Sequence, residues 1–525
     1  MATEESHLDL QARLIYALQN PACYPHPVVQ IQVLETHISW VILTGDYVYK
    51  FKKSVNLGFL DYSTLEKRRH FCEEELRLNR RTAPELYLEV TPVSGKPASP
   101  LLGDASVPIE YAVKMRQFSQ HALLSHLLQK NELTSTLIDQ LAEVITTFHA
   151  EIQSAPVDSN YGLPEMILQP VQENFNQIRE HLAGHEISVV IQKIEQWALS
   201  EYQHSKPLMQ QRHDAGFVRE CHGDLHLNNI TVLDHRPVLF DAIEFNPNLR
   251  YIDTISETAF LMMDLEANNR IDFAWRFLNH YLERNGDYTA LPLLRFYLCY
   301  RAMVRAKISA IRTAQQTTDP AAHTHDLAEF HKYVDLAATY TRQGQGQLLI
   351  THGLSGSGKT VLSQQLLEQW PAIRLRSDVE RKRLAGLPAR QKTDSGLDSG
   401  LYSPVMSEHT YQHLAYLAEI ILKAGYNVIV DAAFLKPAQR QPFFQLAQRL
   451  RIPFHILTVE AQESTLRQRV ASRHARGSDA SEADLAVLDQ QLARYVPLQP
   501  AEQSFVIKVD TDNAIKPEMI LEKLK

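Results

Sequence analysis

Between His222 and Asn246 the chain reads H-G-D-L-H-L-N-N-I-T-V-L-D-H-R-P-V-L-F-D-A-I-E-F-N. Three side chains in this stretch, Asp224, Asn229 and Asp241, could handle a proton or a divalent cation. Phosphoryl transfer to a hydroxyl needs such a set. One carboxylate accepts or orients the hydroxyl proton, and a carboxylate with an amide oxygen holds Mg²⁺ on the phosphates of a nucleotide. Asp224 suits the first role, and Asn229 with Asp241 the second. The spacing lets them meet. Asp224 sits in a loop, Ile230–Leu233 has strand character, Asp234–Pro237 can reverse the chain, and Val238–Phe240 can return Asp241 to the same mouth. A metal-free turn, with Asp224 capping a helix and the asparagines closing loops, accounts for any one of these residues but not for the ordered set.

A second constellation lies far downstream. Gly353-Leu-Ser-Gly-Ser-Gly-Lys-Thr360 fits G-x-x-x-x-G-K-[ST], between a short apolar run, Leu348–Thr351, and a helical pattern, Val361–Trp370. In such a loop Gly353, Gly356 and Gly358, with Ser355 and Ser357 between them, turn successive backbone N–H groups toward a phosphate. Lys359 would span the β- and γ-phosphates, and Thr360 would bind Mg²⁺. Asp378 follows the strand pattern Ile373–Arg376, where it could take a proton from an incoming hydroxyl. Arg381, three residues later, would face the same side of a starting helix and contact the substrate. Asp431 closes the run Val428–Val430 and could support the Mg²⁺ shell. Arg469, Arg473 and Arg476 lie along a helix and its exit, suited to a lid that neutralises a transferring phosphate. The plain alternative for each arginine is a solvated basic helix.

These residues need elements to hold them. Leu8–Leu18 has amphipathic helical spacing, and Val28–Leu34, Ile38–Leu43 and Tyr47–Phe51 alternate as strands, with a turn at Thr44-Gly45-Asp46. Lys50, Lys52 and Lys53 end the third strand, and lysines commonly protect a solvated edge there. A charged helix, Thr64 to Arg80, carries Glu73, Glu74 and Glu75. Helical periodicity then dominates: Leu123–Leu128, Leu137–Ile152, Met166–Leu182, Ile187–Gln203, Ile255–Leu265, Phe273–Arg284, Leu293–Arg312 and Asp326–Tyr340. His149 reads as a packed or capping histidine. Thr341–Gln347 is a glycine-bearing linker, after which strands and helices alternate, with strands also at Phe454–Val459 and Phe505–Val509. Gly386–Pro404, rich in Gly, Ser and Asp, suits a loop over an acceptor site.

The whole chain sets bounds. At 525 residues two or more domains are the default. A hydrophobic content of 44% with 22% charged residues excludes a disordered chain. The net charge of −8 argues against a general nucleic-acid binder. Cys23, Cys72, Cys221 and Cys299 lack metal or redox spacing and read as free thiols of a reducing compartment. The start, M-A-T-E-E-S-H-L, lacks the basic and apolar segments of a signal peptide, and no apolar run is long enough to span a bilayer. A cytoplasmic protein without a membrane partner is expected.

H-G-D-L-H-x-x-N, followed by a strand-end Asp, resembles the catalytic loop and metal site of the aminoglycoside phosphotransferase family and, more distantly, of protein kinases. The resemblance implies an α+β kinase-like domain over residues 1–342, with a small antiparallel lobe at 1–118 and a helical lobe at 119–342. It implies that Lys50 grips the nucleotide's α- and β-phosphates and pairs with Glu75, Glu74 being the neighbouring choice, and that Glu110–Phe118 is the hinge strand that reads adenine. Residues 347–525 resemble the P-loop kinase group that includes polynucleotide 5′-hydroxyl kinase, gluconate kinase and zeta-type toxins, through S-D-x-x-R and the arginine lid. This half is expected to be an α/β domain on a parallel sheet. The whole chain resembles bacterial two-domain proteins joining these parts, which implies ATP (or GTP) with Mg²⁺ in each half and transfer to a hydroxyl of a small molecule. Two alternatives stand beside it: one half is a nucleotide-binding regulator of the other, or the C-terminal half acts on nucleic-acid 5′ ends. The acceptor and the oligomeric state are not readable from the residues.

Overall fold

The computed structural model describes residues 7–58, 60–182, 188–315, 319–389, 391, 393, 400–476, 483–513 and 517–524. The chain separates into two compact units, Met1–Pro170 with Lys206–Leu261, and Val171–Ser205 with Met262–Lys525. The division falls inside the helix Thr254–Ala267, upstream of the linker at 341–347.

The first unit opens with the helix His7–Ala17, followed by six antiparallel strands. They are β1 (Gln32–Glu35), β2 (Ser39–Leu43), β3 (Tyr47–Lys52), β4 (Tyr87–Lys96), β5 (Ser99–Leu102) and β6 (Glu110–Arg116), in the order β1-β2-β3-β6-β4-β5. The first strand is shorter and begins later than the run Val28–Leu34 suggests. The β4–β5 hairpin interrupts a stretch whose pattern gave no strand. Alternation along β3 decides what each of its faces does. Tyr49 and Phe51 join Trp40, Ile42, Leu14, Ile15 and Leu18 in one core. Val48 joins Cys72, Leu86, Tyr87 and Val113 in another. Lys50 and Lys52 share the face of Val48 and meet the helix Leu65–Asn79, which Thr64 caps by accepting from Lys67 N. The solvated-edge reading of the lysines is therefore corrected. β3 is an interior strand between β2 and β6, Lys52 is fully buried, and Lys53 is nearly so.

The helices Leu124–Gln129 and Ser135–Glu151 come before β7 (Val218–Glu220) in the chain. β8 (Ile230–Leu233) and β9 (Arg236–Leu239) then form a hairpin in register Ile230↔Leu239. Its two turn residues, Asp234 and His235, both take positive φ, 46° and 63°, as a two-residue type I′ turn requires. β10 (Tyr251–Asp253) pairs antiparallel with β7.

The second unit contains the helices Ile271–Asn285, Leu291–Gln315 and Pro320–Tyr340, the last two packed along each other. Its sheet has five parallel strands: β11 (Leu348–His352), β12 (Ala372–Arg376), β13 (Asn427–Asp431), β14 (Phe454–Glu460) and β15 (Val506–Asp510). The order is β12-β13-β11-β14-β15. Continuous apolar runs such as Leu348–Ile350 suit strands covered on both faces. Leu349, Ile429 and Leu457 pack under Leu362, Leu366, Ile520 and Leu524. Helices Pro404–Lys423 and Pro437–Leu450 pack against β13 and β11. The twenty-residue helix Pro404–Lys423 begins where the loop at 386–404 was expected to end. Most of that loop's middle, 390, 392 and 394–399, lies outside the described residues. Among the described residues no helix is long and apolar enough to cross a membrane.

One half-buried carboxylate should make the second unit pH-sensitive. Burial pushes Glu266 up to about 7, against hydrogen bonds from the Tyr340 hydroxyl and Trp275. The native chain therefore holds this proton across a window where the unfolded chain releases it, so stability from this group falls as pH rises from the ordinary glutamate range to 7. Glu266→Gln should gain on the parent by about 1–3 kcal/mol at pH 8 and by nothing at pH 4. Thermal unfolding at the two pH values measures it.

Candidate functional site

In the first unit five charged side chains form an alternating line. Lys50 Nζ lies 2.8 Å from Glu75 Oε1 and 2.5 Å from Asp241 Oδ1. Lys52 Nζ lies 2.6 Å from the other Glu75 oxygen and also pairs with Glu244, which accepts from Tyr62 OH as well. Burial alone would lower both lysine pKa values, but the carboxylates around them hold both above the ordinary range. Burial would raise Glu75, and the two ammonium groups bring it down instead. Exposure separates the lysines. Lys50 is 15% and Asp241 41% exposed in their side chains, while Lys52 and Glu75 are sealed at 0%. The line thus has an open end at Asp241 and Lys50 and a closed end at Lys52 and Glu244.

Besides its ion pair with Lys50, Asp241 is held through its backbone. It takes φ of +64°, its N–H donates to Tyr87 OH at 3.1 Å, and the next N–H, of Ala242, donates to Asn79 Oδ1 at 2.9 Å. Asn79 in turn donates to the Glu75 carbonyl, so one buried amide joins the lysine-binding helix to the turn carrying Asp241.

Two histidines brace the loop of Asp224. His222 Nε2 donates to Phe240 O at 2.8 Å and its Nδ1 accepts from Asp224 N at 3.3 Å. Burial lowers the His222 pKa, against the pull of Glu257, Asp224 and Asp241. His226 Nδ1 accepts from Asn228 N, so its Nε2 is the donor lying 3.3 Å from Asp224 Oδ2. Asn229 Nδ2 donates to Asp224 O at 2.9 Å and to Asp224 Oδ2 at 3.1 Å. Its amide nitrogen is thus committed to Asp224, and the oxygen is left as the ligand-type atom. Beneath the loop, Glu257 accepts from Gly223 N and from His149 Nε2, both at 2.7 Å. His149 is thus a brace, packed as its setting in the helix Ser135–Glu151 suggested. Hydroxyl, amide and carboxylate oxygens are the donors that Mg²⁺ takes, and Asn229 and Asp241 fit it.

In the second unit the P-loop leaves β11 at the carboxyl edge of the sheet, where α/β sheets place ligands. Gly353, Gly356 and Gly358 take φ of 150°, 82° and 96°. A Cβ at Gly356 would lie 2.7 Å from Leu466 O, and one at Gly353 would collide with Val459 O, so only glycine lets this loop turn its N–H groups inward. Lys359 starts the helix Lys359–Leu367 and donates to Gly353 O and Leu354 O at 2.9 and 2.8 Å. Burial pushes its ammonium down to about 8; Asp431 and Asp378 pull it up, and Arg473 pushes it further down. These groups therefore share one electrostatic neighbourhood. Ser355 N donates to Gln491 Oε1, and Ser357 O accepts from Thr511 Oγ1. Asp431 Oδ2 lies 3.4 Å from Ser363 Oγ, which donates to Thr360 O at 3.0 Å. Thr360 and Asp431 supply hydroxyl and carboxylate oxygens at one end of the sheet and also fit Mg²⁺.

The remaining residues expected near this loop are accounted for individually. Asp378, half-buried, stands in the first turn of the helix Ser377–Leu384. Arg381 is buried, donates to Leu401 O and Ser407 Oγ, and lies over the Tyr402 ring, so it ties that helix to the next one. Arg469 donates to Thr511 Oγ1 at 2.7 Å and reaches Gly356 O at 3.5 Å, while Arg473 donates to Ala483 O. The Arg476 side chain lies outside the described residues.

Sequence reasoning set Lys52 behind Lys50 and passed over Glu244, Tyr87 and Asn79. Signals for some were present. Lys52 is two residues beyond Lys50 in a strand and must share its face. Asn79 is one helical turn beyond Glu75. Glu244 and Tyr87 gave none.

An α+β part built on a six-stranded antiparallel sheet is followed by an α/β part whose five-stranded parallel sheet carries the P-loop. Residues 348–498 match the family described as AAA domain. Uncharacterized protein Rv2004c of Mycobacterium tuberculosis is 31% identical over 480 residues, covering 90% of this chain and 93% of that one. The chain belongs to the same family as that mycobacterial protein. Among solved structures, amicoumacin kinase hAmiN is 13% identical with a TM-score of 0.40, over 63% of this chain and 96% of its own. A putative kinase from Chloroflexus aurantiacus is 22% identical with a TM-score of 0.28, over 34% of this chain and 97% of its own.

The unequal burial of the two lysines yields a contrast. Lys52→Met leaves Glu75 with one partner and Glu244 with only Tyr62, and should destabilise the protein by about 3–5 kcal/mol. Lys50→Met leaves Glu75 paired with Lys52 and should cost about 1 kcal/mol or less. Urea unfolding of the two variants measures the difference.

Proposed function

We propose that residues 1–342 and 347–525 each bind a nucleoside triphosphate with Mg²⁺ and transfer its γ-phosphoryl group to a hydroxyl. The observation that carries this is the open end of the charged line in the first unit. Lys50, fixed by a sealed Glu75, stands beside Asp241, with Asp224 and Asn229 joined to one another on the same stretch of chain. Lys50 would hold the α- and β-phosphates. Asp224 would accept the hydroxyl proton at its carboxylate, oriented by Asn229 Nδ2 and His226 Nε2. In the second unit Lys359 would leave its two carbonyl partners for the phosphates, and Asp378 would take the proton. Arg469 and Arg473 would move from Thr511 and Ala483 to the transferring group, and Arg476 would act with them. Bound Mg²⁺ would neutralise phosphate charge in each site, held by Asn229 and Asp241 in one and by Thr360 with support from Asp431 in the other.

ATP or GTP as donor, a small-molecule alcohol as acceptor and a cytoplasmic setting complete the reading. A polynucleotide 5′-hydroxyl is a second acceptor class for the P-loop half, motivated by S-D-x-x-R at 377–381.

Incubation with ATP·Mg²⁺ and a metabolite extract should generate new phosphorylated masses. Asp224→Ala should lower one subset of them, and Lys359→Ala another, by about a hundredfold or more. Loss of every product from only one of the two changes would leave a single catalytic half and a regulator. Label transfer to a 5′-hydroxyl oligonucleotide, abolished by Asp378→Ala, would fix the acceptor of the second site, and absence of transfer at every salt concentration would remove that class.

A further inference from the structure

β12 is an edge strand, so its outward N–H and C=O groups need partners from outside the sheet. One side chain supplies two of those partners. Asn279, on the helix Ile271–Asn285, donates to Ala372 O at 2.9 Å and accepts from Arg374 N at 2.7 Å, and it is 2% exposed. One helical turn later, Glu283 accepts from Arg374 Nη2 at 3.2 Å and from Arg376 Nη1 at 2.8 Å. Burial would raise the Glu283 carboxyl, and the two guanidinium groups hold it well below the usual range. The Glu283 carbonyl also accepts from Arg383 Nη2 at 2.5 Å.

Arg374 continues the line. It is 4% exposed, and its Nη1 lies 3.4 Å from both Thr360 O and Ser363 Oγ. Ser363 Oγ is the hydroxyl beside Asp431 Oδ2. A carboxylate on a helix outside the P-loop sheet is thus joined, through one guanidinium, to the last residue of the P-loop and to the neighbour of the acid at the end of β13. Arg374 is a buried positive charge close to the oxygens that a divalent cation would use. Glu283 is the group that neutralises it and aims it.

We propose that Glu283 is a positioning residue of the P-loop site: by holding Arg374 it keeps that guanidinium off Asp431 and leaves the carboxylate available to a divalent cation. Asn279 completes the support by fixing the strand that leads into Asp378. This rests on the reading of Gly353–Thr360 as a nucleotide cradle. Without Glu283, Arg374 pairs with Asp431 and competes with the cation, so the defect appears in the Mg²⁺ requirement before it appears in nucleotide affinity itself.

The test uses the full chain and a fluorescent ATP analogue titrated with Mg²⁺, with the signal retained by Lys359→Ala subtracted as the contribution of the first unit. Glu283→Gln should raise the Mg²⁺ concentration for half-maximal binding by about fivefold or more, while binding without Mg²⁺ changes by less than about twofold. Glu283→Asp should recover part of the loss. Adding Arg374→Gln to Glu283→Gln should bring the Mg²⁺ requirement back toward the parent, since the competing charge is gone; a purely structural role would instead deepen the defect. Melting temperatures identify any variant that fails to fold, and the Asp variant and the double variant then carry the test. An unchanged Mg²⁺ requirement in a folded Glu283→Gln protein, with binding still dependent on Lys359, overturns the proposal alone. Binding unaffected by Lys359→Ala overturns the nucleotide reading and this inference with it.

Discussion

A carboxylate sealed from solvent as Glu75 is can stay ionised only because two ammonium groups share it. That constraint organises the first unit. It requires a strand that presents two lysines on one face, a helix that presents the glutamate at their level, and a second carboxylate beyond each lysine. Asp241 and Glu244 meet the last need from the turn after β9. Because Glu75 has two cations, one of them can engage a ligand without leaving a naked buried charge behind. The same principle is used again nearby. Glu220, at the end of β7, gathers Arg77, Arg81 and Arg250, and so ties the helix Leu65–Asn79 to the strand that leads into the His222 loop.

Under the proposed function the two units would meet the same electrostatic demand by different means. Holding a polyphosphate takes positive potential arranged before the ligand arrives. In the first unit it comes from side-chain ammonium groups, and their carboxylate partners set its position. In the second unit it comes mainly from backbone N–H groups and a helix N-terminus, which carry only partial charges and so need no buried counter-ions. The cost there is conformational. Three glycines at positive φ, of which Gly356 and Gly353 are pressed against Leu466 O and Val459 O, replace the charged line as the feature that resists substitution. Lys359 shows the difference plainly. Turned onto two carbonyls of its own loop and with no carboxylate paired to it among the described residues, it has its pKa lowered by burial, whereas Lys50 and Lys52 are held high by theirs.

The residues that carry a local pattern were readable without coordinates. The β8–β9 hairpin, the P-loop between strand and helix, and the parallel sheet after the linker all follow from periodicity and turn chemistry within a few tens of residues. What could not be read depends on contacts over long separations. Lys52 looked like an edge lysine because the interior position of β3 depends on β6, a strand more than fifty positions later. Glu244 has no signal, since its partner Lys52 lies 192 positions away. Tyr87 acts through a hydroxyl that meets a backbone N–H 154 positions on, and it would read as an ordinary strand tyrosine. The helix Pro404–Lys423 was overlooked for a different reason. It follows a Gly- and Ser-rich stretch, and its buried face, with Leu414, Leu417, Ile421 and Leu422, lies mostly in its second half.

The same limit explains why a glycine-bearing linker is a weak guide to where one compact unit ends. A linker is recognised by composition, whereas a compact unit is set by which unsatisfied groups each element must cover. An exposed parallel edge cannot be left open, and β12 is closed by an asparagine ninety-five positions upstream. Once that amide is committed, the glutamate one turn later is brought over the Arg374 and Arg376 guanidinium groups. Gly286 is then pressed so closely on Arg383 that a Cβ there would lie 2.5 Å from Nε. The asparagine and glutamate contacts meet needs of the sheet, its edge groups and its two arginines. The helix Ile271–Asn285 therefore belongs physically with the P-loop sheet, although in the chain it precedes the linker by some fifty-five residues.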